Sequence, residues 1–65
     1  MEVSVTVQGG SSETVEVTGE TYGDLVESVG LSPMQTAVLV DGQPVPIDAP
    51  VEATEVTVLQ LIHGG

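Results

Sequence analysis

The sequence predicts an α+β fold in which one helix packs across a mixed sheet of four to five strands. Three features predict it. Two runs near the N-terminus, Glu2 to Val7 and Glu13 to Thr18, alternate apolar with polar residues on either side of a Gly-rich break. The segment from Tyr22 to Val29 places its apolar residues at helical spacing between a capping threonine and a glycine. A third alternating run, Glu55 to Ile62, follows later in the chain. With 65 residues, 40% of them hydrophobic, the chain makes one small domain. A domain of this size buries only about 60% of the surface its unfolded chain exposes, so its core is lean.

Each element has a local reason. In the first run Val3, Val5 and Val7 face one way, and Glu2, Ser4 and Thr6 the other. Gln8-Gly9-Gly10-Ser11-Ser12 is turn chemistry, and the second run puts Val15 and Val17 on the core face, so the two form a hairpin. Gly19 breaks the strand. Thr21 is then placed as a helix N-cap, with Asp24 three residues later to complete a capping box. Tyr22, Leu25, Val26 and Val29 make one apolar helix face, Gly30 is placed at C′, and Pro33 forbids continuation. A helix this short is marginal alone and needs a sheet beneath it. Ala37 to Val40 is a short apolar strand, and Asp41-Gly42 a tight turn. Gln43 to Ile47 makes only a brief edge strand, because Pro44 and Pro46 each remove a ladder donor. In the last run Val56 and Val58 share a face, opposite Thr57, Leu59 and Leu61. The order β-β-α-β-(β)-β, with the last strand beside the first, is that of a β-grasp roll over residues 1–62, followed by a flexible tail, 63–65.

Charge removes several functions. Ten Asp and Glu stand against no Lys or Arg, for a formal net charge of −10. Such a chain cannot neutralise phosphates, so no nucleic-acid partner is expected. Anionic membranes repel it, and no apolar run approaches the ~20 residues of a membrane span. The N-terminus lacks the basic and apolar regions of a signal peptide, which makes the cytoplasm the expected compartment. The absence of Cys excludes disulfides, thiolate metal sites and a Cys nucleophile. The acidity also fits adaptation to high salt, since molar salt shortens the Debye length to about 3 Å and screens the self-repulsion.

One motif carries chemistry, the terminal Gly64-Gly65. Without Cβ atoms it can thread a narrow channel on a partner enzyme and take backbone angles closed to other residues. At about 3.3 Å per residue the tail holds its carboxylate roughly 10 Å clear of the folded body. A carboxylate is unreactive until it becomes a mixed anhydride, as ATP-dependent adenylation makes it. The domain would then be cargo, and another protein would supply the catalysis.

At this point the sequence resembles the small archaeal modifier proteins, ubiquitin-like proteins of archaea and of haloarchaea in particular. The resemblance covers essentially the whole chain. It is carried by T-Y-G-D-L-V at Thr21 to Val26, L-S-P at Leu31 to Pro33, and V-L-V-D-G-Q-P-V-P at Val38 to Pro46. The ending V-L-Q-L-I-H-G-G at Val58 to Gly65 completes it, and is also similar to the tails of thiamine and molybdopterin sulfur carriers. The resemblance implies that the chain is no enzyme and binds no cofactor. An E1-like enzyme would adenylate the Gly65 carboxylate with ATP and Mg, Gly64 being its slim neighbour. The product would be joined to target lysines as an isopeptide, and a metalloprotease would remove it. In a second, related job that the resemblance also implies, sulfur-transfer enzymes would convert the adenylate to a thiocarboxylate for tRNA thiolation or molybdopterin synthesis. Members of the family it resembles commonly keep a few basic residues; this chain has no Lys or Arg, so it has no internal lysine on which to build a chain of copies, leaving its α-amine as the one alternative.

A carrier also needs a docking surface. Leu39, Leu59 and Leu61 should project from the sheet face opposite the helix and form a partner patch on a monomer. His63 alone cannot make a metal site, no EF-hand spacing is present, and no metal is expected. The serines have no base at a recognisable motif position, so a Ser-type hydrolase is unsupported. The competing function is a non-covalent interaction domain whose Gly-Gly end is incidental. The charge itself is testable: the denaturation midpoint is expected to rise between dilute buffer and molar KCl, and a midpoint that does not move would remove the high-salt reading.

Overall fold

The first alternating run forms β1 (Glu2–Val7) and the second β2 (Ser12–Glu16), paired antiparallel with Val3 opposite Val15. The structure is a computed structural model and describes residues 1–61. The helix α1 spans Tyr22–Ser28, followed by a 3-10 turn at Pro33–Gln35, β3 (Thr36–Val40), β4 (Gln43–Val45) and β5 (Glu55–Gln60). The sheet order is β2-β1-β5-β3-β4. β5 is therefore the middle strand, parallel to β1 and antiparallel to β3. The α+β roll with one helix over a mixed five-stranded sheet is the architecture the sequence predicts.

The helix signals act as expected. Thr21 Oγ1 accepts the Asp24 N–H, and the Asp24 carboxylate accepts the Thr21 N–H, each at 3.2 Å. At the other end Gly30 takes φ +85, its N–H donates to the Glu27 carbonyl, and the Leu31 N–H reaches back to the Val26 carbonyl. That pair of bonds is a Schellman motif, and it requires a residue at ease with positive φ.

Strand ends differ from the sequence expectation, each for a local cause. β2 stops at Glu16 rather than Thr18, because the Thr18 N–H turns to the Glu20 carboxylate at 2.6 Å and Gly19 adopts φ +90. Val17 stays in the core all the same, whereas Val15 on this edge strand is only half-buried. β4 ends at Val45, ahead of Pro46, which has no N–H to give. β5 runs to Gln60, and Ile62, where the sequence placed its end, lies outside the described residues.

The core is almost entirely valine. Val3 and Val5 of β1, Val38 of β3, and Val56 and Val58 of β5 meet Tyr22, Leu25 and Val26 of α1, with Val17 and Val51 closing the ends. The connection from β4 to β5 ties this layer down. The Tyr22 N–H donates to the Ala49 carbonyl at 3.0 Å and the Gly23 N–H to the Ile47 carbonyl at 2.7 Å. These are N–H groups that no turn of the helix can satisfy. Gly23 is buried where a Cβ would stand 3.2 Å from the Ile47 carbonyl oxygen.

Two substitutions check this packing by urea denaturation at fixed high salt. Leu25→Ala is expected to cost about 2–5 kcal/mol, a large share of the stability of so small a domain. Gly23→Ala is expected to forfeit the ~1 kcal/mol that alanine ordinarily gains in a helix, since its methyl presses on Ile47; a midpoint raised by that full amount would show that the loop yields.

Candidate functional site

The residues that the sequence singles out for chemistry, Gly64 and Gly65, lie outside the described residues, as do Ile62 and His63. What the structure describes is the platform from which they leave. β5 is held along both edges, Val56 beside Val5 of β1 and Val58 between Val7 of β1 and Val38 of β3. Beyond the strand, the Leu61 N–H donates to the Gln35 carbonyl at 2.9 Å, which carries the β3–β5 register one residue further. The chain is thus anchored up to Leu61 on the best-supported strand of the sheet.

With α1 covering one face, the register defines the other. Residues directly opposite one another share a face. Ser12, Thr14 and Glu16 of β2 stand opposite Thr6, Ser4 and Glu2 of β1, and Ser4 and Thr6 stand beside Glu55 and Thr57 of β5. Leu59 faces Ala37, and Leu39 lies between Thr57 and Pro44. The open face therefore divides in two. The part formed by β2, β1 and the start of β5 is hydroxyl-bearing and acidic, and the part formed by Leu59 of β5 with Ala37 and Leu39 of β3 and Pro44 of β4 is apolar.

Leu39 and Leu59 are half-buried and do not belong to the core, and Leu61 is 58% exposed in line with Leu59. The three leucines fall on one side of the sheet, where the sequence alternation puts them. Met34, on the 3-10 turn, is 84% exposed. It stands one residue before Gln35, the partner of Leu61, and so extends the exposed apolar surface at this end of the sheet. Nothing in the sequence marked it, because a lone methionine after Pro33 carries no period.

The polar half holds a shallow cleft of about 320 Å³ lined by Ser4, Thr6, Glu55, Thr57 and the Asp41-Gly42 turn. It brings together hydroxyls and carboxylates with no cationic side chain. Among the described residues no three potential metal ligands cluster, and no helix is long and apolar enough to cross a membrane. Tyr22, the single aromatic residue, is buried under the helix, with its hydroxyl accepting the Glu52 N–H at 3.3 Å. The described body can present a surface; it assembles no catalytic constellation.

Comparison with known proteins agrees with this picture. A family model described as Small archaeal modifier protein 2 matches residues 1–62. The chain is 52% identical to Small archaeal modifier protein 2 of Haloferax volcanii, with all of both chains covered. It is 43% identical, over 78% of its length and 76% of the relative's, to an uncharacterized protein of Archaeoglobus fulgidus. Among solved structures, a computationally designed protein based on a human erythrocytic ubiquitin template superposes with a TM-score of 0.73, covering 98% of this chain and 95% of that one. At 23% identity that likeness shows the fold, a ubiquitin-like β-grasp.

The exposure pattern has a direct consequence for stability. Met34→Ser and Leu61→Ser are each expected to shift it by less than about 0.5 kcal/mol, as surface substitutions do. A loss like that of Leu25→Ala would place either side chain in the core.

Proposed function

The chain belongs to the small archaeal modifier protein 2 family, and on that premise we propose that it is a ubiquitin-like modifier activated at the carboxylate of Gly65. The observation that carries the reading is Gly64-Gly65, set a few residues beyond the central strand β5. A carboxylate resists attack because its charge is delocalised over two oxygens. Its E1-like partner would use ATP and Mg to join it to AMP, with pyrophosphate leaving. The resulting acyl carbon is open to a nucleophile. A lysine amine on a target protein gives an isopeptide, with AMP leaving and the amine losing a proton. A hydrosulfide nucleophile attacking the same carbon gives a thiocarboxylate, with AMP leaving and the sulfur losing its proton; that form passes sulfur to tRNA thiolation or molybdopterin synthesis.

This chain's own part is positional. Two glycines carry no side chain to obstruct a narrow catalytic channel. The anchoring of β5 and Leu61 lets the partner locate the tail by gripping the body. Leu39, Leu59 and Leu61 supply the apolar side of that grip, and the charge of −10 favours a partner with a basic rim. A metalloprotease would release the modifier from its targets, in the cytoplasm, at salt high enough to screen the body.

Intact mass spectrometry tests this. The chain is purified from its host before and after addition of the activating enzyme and ATP. Replacement of one oxygen by sulfur marks the thiocarboxylate, and Gly-Gly remnants on target lysines mark conjugation. A chain with one residue appended after Gly65 is expected to show neither, and Leu59→Asp to react at least tenfold more slowly while remaining folded. Conjugation that survives the appended residue would defeat the proposal and favour an interaction domain with an incidental tail.

A further inference from the structure

A modifier can be lengthened into a chain of copies only if it carries an acceptor, a nucleophile that attacks the activated carboxylate of the next copy. This sequence has no lysine, so the α-amine of Met1 is its one amine. The structure shows how that amine is held. Its ammonium donates to the Glu16 carboxylate and, at 3.0 Å, to the Val17 carbonyl. The Val17 N–H returns to the Met1 carbonyl at 2.8 Å. Met1 and Val17 therefore exchange two hydrogen bonds, as a hydrogen-bonded antiparallel pair does, and extend the β1–β2 ladder by one rung. Val17 is itself a core residue, 4% exposed.

Attack on an acyl carbon needs a neutral amine with its lone pair directed at that carbon. Here two of the three ammonium hydrogens are committed, one to an ion pair and one to the ladder. To react, the amine must leave both partners and open the end of the sheet over Val17. The remaining nucleophiles are Ser and Thr hydroxyls, much weaker than an amine; Ser28 and Thr36 donate theirs to backbone carbonyls, and Thr18 donates to the Glu20 carboxylate at 3.3 Å, a weak base. Two bodies of −10 also repel one another wherever salt does not screen them.

We infer that this chain is a terminal modifier: it attaches once to each acceptor lysine and does not itself receive a further copy. The inference rests on the isopeptide chemistry proposed for Gly65 and defines its product. The new bond joins the Gly65 carbonyl carbon to an amine nitrogen of a different protein, AMP departs, the nitrogen gives up a proton, and growth stops there.

The test uses the full chain, its activating enzyme, ATP and Mg, and an acceptor protein with a single lysine. The expected product is the acceptor carrying one copy. Thr14→Lys and Glu13→Lys, each placed on the exposed edge strand β2, are expected to convert that single product into a ladder. A ladder from the unaltered chain, with Gly-Gly remnants on Met1 or on a hydroxyl, would overturn the inference and leave the Gly65 chemistry standing. No conjugate from any of the three chains would remove the Gly65 chemistry, and the inference with it. A second readout needs no conjugation: acylation of Met1 by an amine-reactive ester, followed by intact mass. Glu16→Gln is expected to speed it about two- to fivefold, the range for an exposed ion pair. Equal rates in the two chains would mean that Glu16 does not restrain the amine, and would overturn this account of it.

Discussion

β1 and β5 lie side by side and parallel at the centre of the sheet, with Val5 opposite Val56 and Val7 opposite Val58. A parallel pair cannot be closed by a hairpin; the chain must leave the sheet, cross a face and return. Every other element serves that return. β2 shields one edge of β1, α1 makes the crossing, and β3 with β4 shields the far edge of β5. Four of the valines that α1 covers, Val3, Val5, Val56 and Val58, belong to the parallel pair, and Val38 of β3 joins them. Without this pairing the chain would consist of a two-stranded hairpin and a few short strands around a seven-residue helix, none of them stable in water alone.

The helix shows how a lean core is completed by backbone. Two turns bury too little surface to hold themselves, so the N–H groups at the start of α1 are taken up by Thr21, Ala49 and Ile47. The β4–β5 connection is thereby fixed against the helix although it contains no strand or helix of its own. The close approach explains the buried glycine at position 23, in a place where helix propensity alone would prefer almost any other residue. Valine suits the rest of the core because its branched side chain is already stiff and loses little freedom on burial.

The same layout sets the division of labour outside the core. One face carries the helix, and the other is left open and split between hydroxyl and apolar halves. The middle strand of the sheet is also the last element before Gly64 and Gly65 in the sequence. A body without cations keeps its single described positive charge, the Met1 amine, in a rung of the sheet. On the function proposed above, such a body is carried and attached, with a surface to be gripped and a terminus activated by another protein.

Periodicity and capping are local properties, and what depends on them was legible in the chain before any coordinates: the faces of β1 and β5, the Thr21–Asp24 box, the Gly30 terminus and the shared side of Leu39, Leu59 and Leu61. The Gly64-Gly65 motif is read from two adjacent residues alone and lies outside the described residues, so the chemistry proposed for it rests on the sequence. The ends of β2 and β4 were not legible, because a strand stops where its partner or its own N–H groups turn elsewhere. Nor were the 3-10 turn that exposes Met34, the loop carbonyls over Gly23, or the rung that engages the Met1 amine. The last two join residues far apart in sequence, and only the assembled sheet brings them together.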